Sequence, residues 1–178
     1  MSKKRGDSIP IGPEENLIIQ PYLIIELLFN LKKHHFISSD YFSKMHYNED
    51  TRSLLKQTGI YNQGTLMLLL YAMLVIPKEI LKKTYVPDFE KINTKMSRYC
   101  QNTETNYKNK NIDFTYHLRN AVSHGRISFV NGNLIFKDQN KSGSRKFKSE
   151  INLIDVKELI NDLETIIHQY IKNLKPKP

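Results

Sequence analysis

Residues 116–126 read Tyr-His-Leu-Arg-Asn-Ala-Val-Ser-His-Gly-Arg, and their spacing decides the fold class. On a helical wheel turning about 100° per residue, Phe114, Leu118, Ala121 and Val122 fall on one apolar stripe that faces a core. Tyr116, Asn120 and Ser123 fall on the opposite face, and Arg119 and His124 flank it. Gly125 stands where a left-handed cap ends a helix, so His124 belongs to the last turn with its imidazole at the helix mouth. Beyond Gly125 the period changes from helical to alternating. Arg126–Val130, Asn131-Gly132 and Asn133–Asp138 form the pattern of a β-hairpin closed by an Asn-Gly turn.

Working outward from this stretch, Pro13-Glu14-Glu15 opens a helix that runs to about Lys33 and bends at Pro21. Ser38-Ser39-Asp40 caps a short helix carrying Tyr41, Phe42 and Met45, and Asp50–Gln57 forms another that ends at Gly59. Leu66 to Leu81 is apolar nearly all round through Ile76, which places it at the centre of a bundle or in a subunit interface. Pro77 kinks or divides it. Pro87-Asp88 opens a helix through Tyr99, and the Asn-rich Gln101–Asn111 reads as a loop. Downstream, Gln139–Lys146 reads as a flexible basic loop, Phe147–Ile151 has the length of a third strand, and Ile154–Leu174 forms a final amphipathic helix. The expected architecture is mainly α, an antiparallel helical bundle with a short hairpin over about 126–138 inserted before the C-terminal helix. Residues 1–12 are expected to be a mobile segment, 13–174 a single domain, and 175–178 a basic tail.

The chain of 178 residues is long enough to bury a core without staples. Its one cysteine, Cys100, excludes an internal disulfide and a cysteine-rich zinc site, and suits a reducing cytosol. Neither a metal-ligand pattern nor a cofactor motif is present. The longest apolar run, Leu66 to Ile76, falls short of the roughly 20 residues a membrane span needs. These features lead to the expectation of a soluble cytoplasmic protein without membrane or metal. The net charge of +9 attracts and steers a phosphate backbone, although surface lysines also serve solubility alone. Positive residues gather from Lys137 to Lys148 and at Lys172–Lys177, and acids from Asp155 to Glu164.

The segment Arg119-Asn120-Ala121-Val122-Ser123-His124-Gly125, an R-x4-H arrangement at the end of a helix, resembles the HEPN family of small helical proteins. Many HEPN members are endoribonucleases that need no metal, often in toxin–antitoxin or phage-defence systems. The resemblance implies a homodimer whose R-x4-H motifs meet in an interface cleft, RNA as substrate, and an antitoxin protein as a further partner. It assigns His124 as general acid/base, Arg119 as the phosphate-binding group and Asn120 as their polar companion, with a 2′,3′-cyclic phosphate on the product. Some HEPN toxins carry a tyrosine two positions after the histidine, which a nucleotidyltransferase modifies. Arg126 stands there in this chain, which argues against that control.

The residue chemistry is consistent with these roles. RNA carries its own nucleophile, the 2′-hydroxyl, so cleavage requires a base, an acid and stabilisation of charge at phosphorus. The His124 imidazole can give or take a proton, and the Arg119 guanidinium offers a planar fork to phosphate oxygens. One chain supplies one such histidine, whereas a two-fold dimer supplies both acid and base. Tyr116 and Ser123 are candidate supporting donors, and Arg126, Lys141, Arg145 and Lys146 are candidate substrate-binding cations. Simpler readings of the same residues remain open. Arg119 can pair with Asp113 or an acid on another helix such as Glu79, Asn120 can satisfy backbone, and His124 can serve as a cap. His117 reads as a packed or interfacial histidine. A silent RNA- or nucleotide-binding module and a helical protein-interaction domain are the competing functions.

Overall fold

The structure, a computed structural model, describes residues 11–106 and 111–174. The anticipated N-terminal segment lies outside the described residues except for 11 and 12, and the basic tail 175–178 lies outside them.

Helix α1 (Pro13–Lys33) begins with proline and two glutamates in its first turn and carries Pro21 without interruption. It buries Ile18, Ile19, Tyr22 and Ile25, whereas Leu17, Leu23, Ile24 and Leu27 are each more than half exposed. Two short helices follow. In α2 (Asp40–Ser43) the Ser39 side chain accepts from the Phe42 amide, and in α3 (Glu49–Thr58) Asn48 accepts from Thr51. The Arg52 guanidinium donates to the carbonyls of Phe42, Ser43 and Met45, tying the end of α2 to α3.

The apolar stretch forms α4 (Gln63–Leu70), one π turn (Tyr71–Val75) and α5 (Ile76–Leu81) in unbroken succession. Pro77 neither divides nor ends it. Proline has no N–H for the Met73 carbonyl four residues back, and the wide turn just before it absorbs that mismatch. Gln63–Leu81 is the one helix among the described residues long and apolar enough to cross a membrane, with a mean hydropathy of 1.7. In this fold it packs against α1, α7 and α8, with Leu70, Met73 and Leu74 almost fully enclosed.

After α6 (Val86–Tyr99) the chain departs from the sequence reading. Gln101–Thr105 is a strand, β1, where a loop was expected. Helix α7 (Phe114–Ser123) is followed by β2 (Ile127–Val130), β3 (Asn133–Gln139), β4 (Lys146–Asn152) and α8 (Leu153–Asn173). The strands form one antiparallel sheet in the order β1-β4-β3-β2. The hairpin is therefore part of a four-stranded sheet, in a fold that remains mainly helical. Asn131 and Gly132 both have positive φ, 50° and 79°, as the expected type I′ turn requires. β1 consists of polar residues and lacks the alternation that marks a half-buried strand. Its pairing rests instead on the backbone ladder to β4, a Thr103–Ser149 hydroxyl bond and a Glu104–Lys148 ion pair.

One face of the sheet turns Leu134, Phe136, Phe147 and Ile151 into the core. Helix α7 lies across this face with Phe114, Leu118, Ala121 and Val122 enclosed, and α8 adds Val156, Leu159, Leu163, Ile166 and Ile167. The motif helix is thus clamped between the sheet and the central helix.

Candidate active site

The start of α7 is pinned from two sides. Asp113 caps it, its Oδ1 accepting from the Tyr116 amide at 2.8 Å and the Thr115 hydroxyl at 2.7 Å. Lys78 on α5, only 4% exposed, donates through Nζ to Thr115 Oγ1 at 2.6 Å and to Asp113 Oδ1 at 3.3 Å. Burial drives the Lys78 ammonium down to about 8, against the opposing pull of Asp113. Burial would raise the Asp113 carboxyl, but the Thr115 hydroxyl, Lys78 and the Tyr116 amide together hold it below its ordinary value.

The middle of α7 carries a continuous polar chain. His117 Nδ1 donates to Asp138 Oδ2 at 2.8 Å, and its ring stacks on Phe147 with centroids 4.1 Å apart and planes inclined by 7°. The same Asp138 oxygen accepts from Asn120 Nδ2 at 3.0 Å. Asn120 Oδ1 in turn accepts from Arg119 Nη1 at 2.8 Å, and Arg119 Nη2 pairs with Glu79 on α5. Asp138, His117 and Asn120 are all buried; the Arg119 side chain is 25% exposed and Glu79 is 56% exposed. Arg119 Nε is buried without a hydrogen-bond partner. The guanidinium is therefore gripped at its tip by an amide and a carboxylate, and keeps one donor unused.

The C-terminal end is a complete Schellman motif. The Arg126 amide donates to Ala121 O at 2.8 Å and the Gly125 amide to Val122 O at 3.2 Å, with Gly125 at φ +63°. His124 is the C-cap residue and is exposed. Ser123 is exposed, and its hydroxyl donates to the Arg119 carbonyl at 2.9 Å. The open edge of the helix is thus Tyr116, Arg119 and Ser123, at i, i+3 and i+7, leading to His124.

Asn120 departs from its sequence placement. The wheel sets it on the outer polar face with Tyr116 and Ser123, whereas the structure turns it inward against the sheet. The reason is Asp138, a carboxylate on the buried register of β3, which gives the amide a partner in the core. Asn120 bonds Arg119 and Asp138, and so holds the arginine in place. Arg119 takes Glu79, and Asp113 instead joins Lys78 and Lys82. His117 is packed, in agreement with its sequence reading. Arg126 donates through Nη1 to the Gln139 carbonyl at 3.2 Å, joining the end of α7 to the last residue of β3, where the β3–β4 loop begins. Lys141, Arg145 and Lys146 are exposed on and beside that loop.

Sequence reasoning passed over Asp138 and Lys78. Asp138 had a signal, since it stands at i+2 from Phe136 and i+4 from Leu134 in the alternating strand, where an apolar residue belongs. Burial pushes the Cys100 thiol up to about 12, which leaves it no thiolate character near neutrality. Among the described residues no group of three or more His, Cys, Asp or Glu is placed to hold a metal ion.

A mainly helical fold with an R-x4-H helix packed at its centre agrees with the resemblance to HEPN proteins. The chain matches the HEPN pEK499 p136 family over residues 1–174 and belongs to it. Membership points to a nuclease, RNA-related or toxin-like role. No curated protein and no solved structure shows significant similarity to the chain.

Proposed function

We propose that this chain is an endoribonuclease that cleaves RNA by attack of its own 2′-hydroxyl, without a metal, at a site formed by Arg119 and His124. The observation that carries this reading is the chain Asp138–Asn120–Arg119, which aims a guanidinium at the open edge of α7 while His124 stands exposed at its end. Arg119 supplies charge to the phosphate and to the charge that grows in the transition state. Moving the guanidinium from Glu79 onto a phosphate trades one anion for another and lets its unused Nε find an acceptor. His124 exchanges the proton of the 2′-hydroxyl or of the leaving 5′-oxygen. Tyr116 and Ser123 border the substrate on the same edge.

Two copies of the chain supply an acid and a base across a two-fold axis. The apolar residues exposed on α1, Leu17, Leu23, Ile24 and Leu27, offer surface that a second copy would cover. Toxin or phage-defence action in the cytoplasm, restrained by an antitoxin protein, is the cellular role that goes with this chemistry. The test is a dilution series with RNA in EDTA. Product ends carrying 2′,3′-cyclic phosphate, with specific activity falling as the protein is diluted, are expected; 3′-hydroxyl ends contradict the mechanism.

A second reading, an RNA- or nucleotide-binding HEPN module without turnover, draws on the same ion pair. With Glu79 and Asn120 on its tip, Arg119 already has the partners of a structural arginine. Salt-sensitive RNA affinity without cleavage would select it.

A further inference from the structure

The face of the sheet turned away from α7 carries three lysines gathered at one end of β3 and β4, with Glu104 and Glu150 beside Lys148. Lys137 on β3 stands directly opposite Lys148 on β4, and Lys146 precedes Lys148 by two residues on the same face. Burial alternates accordingly: Lys137 and Lys146 are exposed, and Asp138 and Phe147 between them are enclosed. Like charges opposed across a ladder destabilise a sheet. Glu104 answers Lys148 at 2.8 Å, but among the described residues no carboxylate lies within ion-pair distance of Lys137 or Lys146. The three lysines line a hollow of about 400 Å³ together with Gln139, Asn106 and the acids Glu104 and Asp138.

This face adjoins the end of the motif helix. Arg126, two residues after His124, accepts from the Lys137 amide through its carbonyl at 3.0 Å and holds the Gln139 carbonyl with its guanidinium. The basic loop carrying Lys141 and Arg145 leaves from the same strand ends. No aromatic side chain stands on this face among the described residues of the strands. It therefore lacks an aromatic stacking platform for bases. Lys146 and Lys148 stand about 7 Å apart along the strand, comparable with the step between neighbouring phosphates of a single strand.

We infer that the outer face of the sheet, through Lys137, Lys146 and Lys148, is the track on which single-stranded RNA lies as it reaches His124, held by its phosphates without regard to base. The inference rests on the RNA reading of the site and adds where the substrate runs. Glu104 competes with the phosphates for Lys148, so its removal strengthens binding.

The test uses the full chain and a mixed-sequence 2′-O-methyl oligoribonucleotide, which lacks the nucleophile and is bound without being cut. Each phosphate contact contributes about 0.7 to the salt slope, so the wild type should lose about 20-fold more affinity than K137A/K146A/K148A between about 50 and about 200 mM salt. Glu104→Gln, which adds no bulk and removes one charge, should bind more tightly than wild type. Equal affinity and slope in wild type and the triple variant overturn the inference, as does an unchanged or weaker Glu104→Gln. Cleavage of ordinary RNA by wild type is measured in parallel. Cleavage together with an indifferent triple variant removes the track and leaves the active site standing; neither binding nor cleavage removes both. Binding by an acidic protein but not by the oligonucleotide also overturns it.

Discussion

Replacing Asp138 with alanine removes one carboxylate and orphans two buried groups. His117 Nδ1 and Asn120 Nδ2 both lean on Asp138 Oδ2, at 2.8 and 3.0 Å, in a pocket closed by Phe147. An unsatisfied buried donor costs about 1–3 kcal/mol, so the pair loses roughly 2–6 kcal/mol before any relaxation. For a domain of this size about 1 kcal/mol moves the melting temperature by roughly 2–4 °C. A loss of about 3 kcal/mol therefore lowers it by roughly 6–12 °C. Asp138→Asn keeps one acceptor oxygen and falls between wild type and alanine. The functional consequence passes through Asn120, whose carbonyl oxygen holds Arg119. At a temperature where all three proteins are folded, RNA cleavage should fall in Asp138→Ala and partly return in Asp138→Asn. Thermal unfolding followed by circular dichroism, with a cleavage assay on the same samples, reads both effects. An Asp138→Ala protein that melts with wild type, or melts lower yet cleaves at the wild-type rate, refutes the reasoning.

Three further outcomes follow from the same geometry. Lys78 has its ammonium pushed down to about 8 by burial, from 10.5 when unfolded, so from about pH 8 upward the unfolded chain binds more protons and stability rises with pH. The rise should be clearest up to about pH 9, above which the raised Cys100 thiol opposes it, and urea midpoints of Lys78→Met should lack it. Glu79→Gln should change unfolding free energy by less than about 1 kcal/mol, because its pair with Arg119 is half exposed, and should lower KM for RNA; a higher KM would mean Glu79 aids binding. Gly125→Ala meets open space but must hold φ +63°, so urea denaturation should show a loss of about 1 kcal/mol, which Gly125→Asn largely avoids.

Much of the fold was legible because its signals are local. Pro13 with two glutamates, the Ser39 cap, Gly59, the Asn131-Gly132 turn and the Gly125 cap each specify backbone geometry within a few residues. β1 was illegible for the opposite reason. Gln101–Thr105 has no alternation, and its strand state depends on a ladder to residues 146–152, far along the chain. The family match likewise bears out the resemblance drawn from Arg119 to Gly125. Within the site, the wheel separated the apolar stripe of α7 correctly but assigned Asn120 to solvent, since a helix projection carries no knowledge of the sheet packed against it. Asp138 decides that point. Glu79 was recognisable as one acid among several for Arg119; only the packing of α5 beside α7 selects it.

The most direct measurement incubates RNA with the purified chain in EDTA, wild type beside His124→Ala. Because His124 is exposed and its side chain holds nothing in the core, the variant should fold as wild type does. The account predicts cleavage by wild type, with cyclic-phosphate ends, and intact RNA with His124→Ala. Equal cleavage by both proteins, or intact RNA with both while the wild type still binds it, would contradict the assignment of His124 as the catalytic acid/base.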